Sequence, residues 1–251
     1  MIRLTLPWAD APWWRAVVER TTAGPTDPVT HVTTWDPTWL PWAVLAVGLV
    51  LVAVPELWRA TRILVTFVHE LGHAAVGILV GRRFTGFVVR ADMSGHAVTV
   101  GKPRGPGLEL TTWAGYPAPA VIGAGLVWTA LTGWAPAALG AVALICLLSL
   151  VFVRSWSTAG TTLLVGAVAG VLWWWRGDAR SAGVLLAVAV LLLLGAWRHW
   201  FAVAGSPKGS DPAVLARLTG WPGWWWVGTF LLVIAGASAA AGWLLWPVLR
   251  W

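Results

Sequence analysis

The chain has 251 residues, of which 58% are hydrophobic and only 11% charged. A water-soluble domain normally carries about twice that charge density, so the composition excludes an ordinary soluble enzyme and points to a single helical membrane bundle. The net charge of +7 does not indicate nucleic acid: Lys and Arg sit mainly in breaks between apolar runs, where they meet lipid headgroups, and no basic cluster is interleaved with aromatics.

In chain order, residues 1–38 read as a polar, interfacial N-terminal segment. Met1 to Arg20 lacks a continuous apolar run and is not expected to be a signal peptide, while Trp13 to Val18 fits a short interfacial helix. Residues 39–251 read as one transmembrane domain with about seven apolar spans, near 40–58, 61–80, 110–131, 135–153, 158–175, 181–203 and 222–249. Most of the 23 Trp, among them Trp39, Trp134 and Trp224, lie near the ends of these runs, as expected for an interfacial belt. Cys146 is alone, so neither a disulfide framework nor a Cys-based metal site is expected.

Between the second and third spans, residues 84–101 have β-branched residues on either side of Asp92-Met93-Ser94-Gly95 and read as a β-hairpin. Residues 204–220 read as a polar loop followed by a short helix. The fold class is therefore an all-α polytopic membrane protein of about seven transmembrane helices, with a small β-hairpin after the second. If the N-terminus shares a side with loops two, four and six, that side holds twelve Lys and Arg against five. The imbalance places the N-terminus, and the hairpin with it, in the cytoplasm.

The second span contains His69-Glu70-Leu71-Gly72-His73, the HExxH pattern. On a helix, residues i and i+4 stack on one face, so both imidazoles can reach one Zn²⁺, and Glu70 beside the first ligand is placed to take a proton from an attacking water. With five His and four Glu in the chain, the pattern is expected by chance about 0.002 times. Ionisable groups deep in a span are costly and mark functional sites by default. A catalytic zinc wants a third protein ligand; Asp92, His96, Glu109, His199 and Asp211 are the candidates. Asp211 begins the short helix ending at Gly220, and Asp followed by Pro is also a good N-cap and N1 pair.

At these residues the chain resembles the site-2 protease class of intramembrane metalloproteases, the M50 peptidases, and particularly their compact M50B-like branch. The resemblance rests on HELGH with the following hairpin, on the Ala114-Gly115-Tyr116-Pro117 break, and on Ser210-Asp211 before a short helix and last span. It implies a zinc endopeptidase that cuts transmembrane segments of membrane-protein substrates within a bilayer, in a bacterial-type plasma membrane. It implies His69, His73 and Asp211 as metal ligands and Glu70 as general base. Better-known members carry the aspartate within a transmembrane helix, whereas Asp211 follows the polar stretch Ser206 to Ser210.

The hairpin, at Val98 to Val100 or Phe87 to Arg90, would then hold an unwound substrate by strand addition. Gly115 and Pro117 would break a helix beside it. Val88, Val98, Gly115 and Pro117 are thus the candidate substrate-binding residues. The alternatives are a non-proteolytic membrane scaffold or regulator that keeps the fold, which has no need of Glu70, and a metal transporter, for which spans three to seven offer almost no polar groups.

Overall fold

The structure, a computed structural model, describes residues 13–24, 40–90, 95–205 and 209–249. The expected turn at Asp92 to Ser94, and most of the N-terminal segment, lie outside the described residues.

A short helix α1 (Trp13–Thr21) is followed by α2 (Leu40–Ala53) and α3 (Pro55–Leu79), then the strands β1 (Arg83–Val89) and β2 (Gly95–Val100). Next come α4 (Pro106–Trp113), α5 (Ala118–Leu131), α6 (Ala135–Ser149), extended by a 3-10 turn over Leu150–Phe152, and α7 (Trp156–Trp174). The chain closes with α8 (Asp178–Gly205), α9 (Asp211–Thr219) and α10 (Gly223–Leu249).

Five of these helices are long and apolar enough to cross a membrane, and α4 with α5, bent by 64° at their junction, makes a sixth if counted as one span. The expected seven is therefore too many among the described residues. The difference lies at the first span, where Pro55 restricts the residue before it to extended backbone. Val54 accordingly sits at φ −77°, ψ 120°, and the helix breaks there rather than near residue 58. With 14 residues, α2 is about 21 Å long, short of a hydrocarbon layer of about 30 Å.

The backbone N–H of Gly24, just after α1, donates to Gly133 O at 2.9 Å, and Arg20 Nε donates to Trp174 O at 2.9 Å. Both acceptors are at the end of the α6–α7 pair opposite the hairpin, which packs beside Phe152 to Thr158. The N-terminal helix and the hairpin therefore lie at opposite ends of the α6–α7 pair, whereas the charge count groups them together.

Helix α8 is the axis of the bundle, packed by α2, α3, α5, α6 and α10. Close helix approach is achieved with small residues: Gly48 lies against Val190, Gly123 against Leu193, and Gly195 against Val65. The main core joins Val127 and Ala130 of α5, Leu186 and Ala189 of α8, Leu215 of α9, and Phe230 and Ile234 of α10. Outward faces remain apolar, as with Leu147 and Leu148 on α6, Leu164 on α7 and Leu232 on α10. Faces of this kind suit lipid rather than water. Trp156, Trp224 and Trp243 are exposed near helix ends, as a belt requires, whereas Trp58 is buried in the core.

The hairpin is antiparallel, with Val88 opposite His96 and Phe87 opposite Ala97, and an irregularity between Phe84 and Gly86. Its two edges differ. The outer edge of β1 is occupied: Arg154 N–H donates to Phe87 O, Val89 N–H donates to Thr158 Oγ1 at 2.7 Å, and the Ser157 hydroxyl donates to Val89 O. Thr158→Val leaves the buried Val89 N–H without an acceptor, which should cost about 1–3 kcal/mol. The expected result is a lower thermal midpoint in detergent; an unchanged midpoint would show that this anchor contributes nothing.

Candidate metal centre

His69 and His73 project from one face of α3, as the i, i+4 spacing requires, with their Nε2 atoms 3.1 Å apart. From the start of α9, far away in the chain, Asp211 brings Oδ2 to 3.2 Å from His69 Nε2 and 3.3 Å from His73 Nε2. His73 Nδ1 lies 2.7 Å from Thr111 O. A carbonyl oxygen only accepts, so Nδ1 carries the proton, and the Nε2 of a neutral ring presents its lone pair to the cluster. Electron-pair donors thus converge without a good hydrogen bond at Asp211 Oδ2, which is buried. That arrangement is repulsive alone and suited to a cation.

A tetrahedron with zinc–ligand bonds of about 2.0–2.1 Å has edges of about 3.3–3.4 Å. The three observed separations are close to those edges, so the residues fit a zinc ion. Burial alone would raise the Asp211 carboxyl, but its contacts with His69 and His73 outweigh that and hold it well below the usual carboxylate range. It is the ionised form that ligation needs.

The N-cap reading of Asp211 does not hold. Ser210, in extended backbone, is the N-cap of α9, its carbonyl accepting from Ala213 and Val214 N–H, and Asp211 is already in the first turn. Its carboxylate points to the imidazoles. His96, Glu109 and His199 do not join the ligand cluster, the only such group of His, Cys, Asp and Glu among the described residues; Asp92 lies outside them.

Glu70, 4% exposed, faces the hairpin, and its Oε2 is buried with no hydrogen-bond partner among the described residues. An unpaired buried carboxylate is costly to fold around, which marks it as a group held for chemistry. Two glycines make room for the site. A Cβ at Gly115 would stand 2.5 Å from His73 Nε2 and 2.6 Å from His69 Nε2, and one at Gly95 would stand 2.1 Å from Glu70 Oε1.

The two positions predict separable defects. Gly115→Ala should displace the imidazoles and lower bound zinc, whereas Gly95→Ala should displace Glu70 and lower turnover with zinc retained. Elemental analysis alongside a cleavage assay reads both, and equal zinc loss in the two variants would contradict the separation.

An open cavity of about 640 Å³ joins these groups, lined by α3, β2, α4, the Tyr116 break, α8 and α9. Of the expected substrate-binding residues, Val98 lines it. Val88 does not: it is on β1, paired with His96. Gly115 sits against the imidazoles instead, and Pro117 is buried as the N-cap residue of α5. Both mark the bend, but neither lines the cavity.

Sequence reasoning misses Thr111, which acts through its backbone carbonyl and so carries no side-chain signal. It treats Tyr116 only as part of a break. It weighs His199 only as a ligand, although His199 lines the cavity from the last turns of α8; a histidine in an apolar run is the available signal.

A family model described as Peptidase M50B-like matches residues 42–241. No curated protein matches the chain. No solved structure matches it either.

Proposed function

The chain belongs to the Peptidase M50B-like family, and on that premise we propose that it is a zinc-dependent intramembrane endopeptidase that cleaves transmembrane segments of membrane-protein substrates. The observation that carries the reading is the meeting of His69, His73 and Asp211 around one point, beside an unpartnered Glu70 and inside a cavity bordered by a strand edge.

Zinc held by His69, His73 and Asp211 would lower the pKa of a water and polarise the scissile carbonyl. Glu70 takes the proton of the attacking water and passes it to the leaving amide nitrogen. Thr111 O keeps the His73 proton on Nδ1, so that Nε2 stays a ligand atom. Burial of Glu70 and His73 strengthens these interactions by lowering the local dielectric.

A helical peptide bond is shielded by its own hydrogen bonds, so a transmembrane substrate has to unwind before attack. Of the two edges open to choice from sequence, β1 is occupied by Val153 to Thr158, while Gly95 to Thr99 of β2 line the cavity. Thr99 O already accepts from Arg82, so it is the cavity-facing stretch of β2 before it that can satisfy the backbone of an extended segment next to the three ligands.

The test uses purified protein reconstituted with fluorogenic single-span peptides that differ in Gly and Pro content. Cleavage within the span should stop on chelation and return with added zinc, and peptides that unwind easily should be cut faster. Cleavage indifferent to chelation would overturn the zinc mechanism. A zinc-loaded protein that cuts none of the set would favour a scaffold that keeps the family fold.

A further inference from the structure

Tyr116 stands in the break between α4 and α5, and its ring is held by two neighbours. It stacks on Phe230 with centroids 5.1 Å apart and planes 11° from parallel, and it meets His69 edge-on at 4.9 Å and 82°. Phe230 is itself fully buried. On either side in sequence, Gly115 is pressed against the imidazoles and Pro117 is buried in the bend. Aromatic contacts of this geometry favour one orientation of the ring, so the phenol is positioned before anything enters the cavity.

Its hydroxyl makes no hydrogen bond to any described residue, although Tyr116 lines the cavity together with Glu70, His69 and Asp211. Tyrosine hydroxyls in packed surroundings normally find a partner. The other polar groups nearby differ. The Thr111 hydroxyl is committed to Gly107 O at 2.6 Å, and His199 packs on Trp58 rather than on a ligand ring. Tyr116 is the cavity-lining donor whose ring also touches a ligand imidazole.

Resting on the peptidase reading above, we propose that the Tyr116 hydroxyl donates a hydrogen bond to the scissile carbonyl oxygen as that oxygen becomes negative. When the water oxygen bonds to the carbonyl carbon, the C=O π pair moves onto oxygen, and the Tyr116 O–H meets the new charge without giving up its proton. The water proton goes to Glu70 and then to the amide nitrogen as the C–N bond breaks and the C=O bond re-forms. A donor fixed in advance of the reaction costs no reorganisation at the moment charge develops, which is why such groups act on kcat rather than on KM.

Tyr116→Phe keeps the ring contacts with His69 and Phe230 and removes only the hydroxyl. With the single-span peptide that wild type cleaves fastest, kcat should fall by about 10²–10³-fold with KM near the wild-type value. Zinc content and melting midpoint should match wild type. Activity within about twofold of wild type, or a raised KM with kcat unchanged, overturns the proposal. Loss of zinc or of the melting transition in Tyr116→Phe overturns it too, since the hydroxyl would then be structural. Glu70→Gln is run beside it: if that variant cleaves like wild type the peptidase reading itself fails, whereas an inactive Glu70→Gln with a fully active Tyr116→Phe removes only the assignment of Tyr116.

Discussion

Replacing Glu70 by Gln is expected to abolish cleavage while leaving bound zinc at the wild-type level. Gln has nearly the same shape as Glu and would keep contact with Gly95, where Glu70 now lies too close for any added Cβ. It cannot accept and release a proton in the range where Glu can, so it loses the whole contribution of general acid–base transfer, about 10²–10⁴-fold in rate. The buried, unpartnered Oε2 sharpens the expectation, because that oxygen has no structural bond to lose among the described residues. Removing an unpaired buried charge should hold or raise the melting midpoint rather than lower it. Elemental analysis, a melting curve and the peptide assay give the three readouts. A Glu70→Gln protein that cleaves at wild-type rate would end the assignment of Glu70 as base.

Asp211→Ala should remove zinc. The loss should exceed the roughly 10–100-fold that even outer hydrogen-bond partners of a metal site cost, because a direct ligand is gone. What remains is a pair of histidines 3.1 Å apart with no third donor to complete a site. A helix-cap role predicts something else, namely retained zinc and a frayed α9. Since Ser210 supplies the cap and the Asp211 carboxylate points at His69 and His73, α9 should keep its helicity in the variant. Asp211→Asn, which preserves shape and one oxygen, should bind zinc more weakly than wild type but better than Asp211→Ala. Stoichiometric zinc in dialysed Asp211→Ala would overturn the ligand assignment. Because binding stabilises the folded state by mass action, added zinc should raise the melting midpoint of wild type and not of Asp211→Ala.

Much of the centre is legible in the amino-acid sequence. HExxH at His69 to His73 carries its geometry in its spacing, since a helix repeats every 3.6 residues wherever it is placed. The apolar runs identify the bundle, and the β-branched stretches around residues 92–95 identify the hairpin within a residue of its described ends. These are local properties, decided by neighbours in sequence.

The rest depends on where distant segments meet. Nothing local distinguishes an Asp211 that faces the histidines from an Asp211 that caps a helix; the decision is made by α9 packing on α4 and α10, which brings the carboxylate to His69 and His73. Pro55 is visible, but that the N-terminal helix lies at the end of the α6–α7 pair away from the hairpin follows only from the contacts of Arg20 with Trp174 and of Gly24 with Gly133. Which edge of the hairpin stays open is set by Val153 to Thr158, more than fifty residues further along the chain. The seating of Tyr116 in the cavity arises from Phe230 on the last helix. By itself the sequence determined a membrane bundle with two imidazoles and a carboxylate on one helix, because helical periodicity and lipid solubility act over a few residues. Tertiary structure alone decided the approach of Asp211 to the two histidines, the strand that faces the cavity and the seating of Tyr116, because each is a contact between groups that the chain holds far apart until the bundle packs.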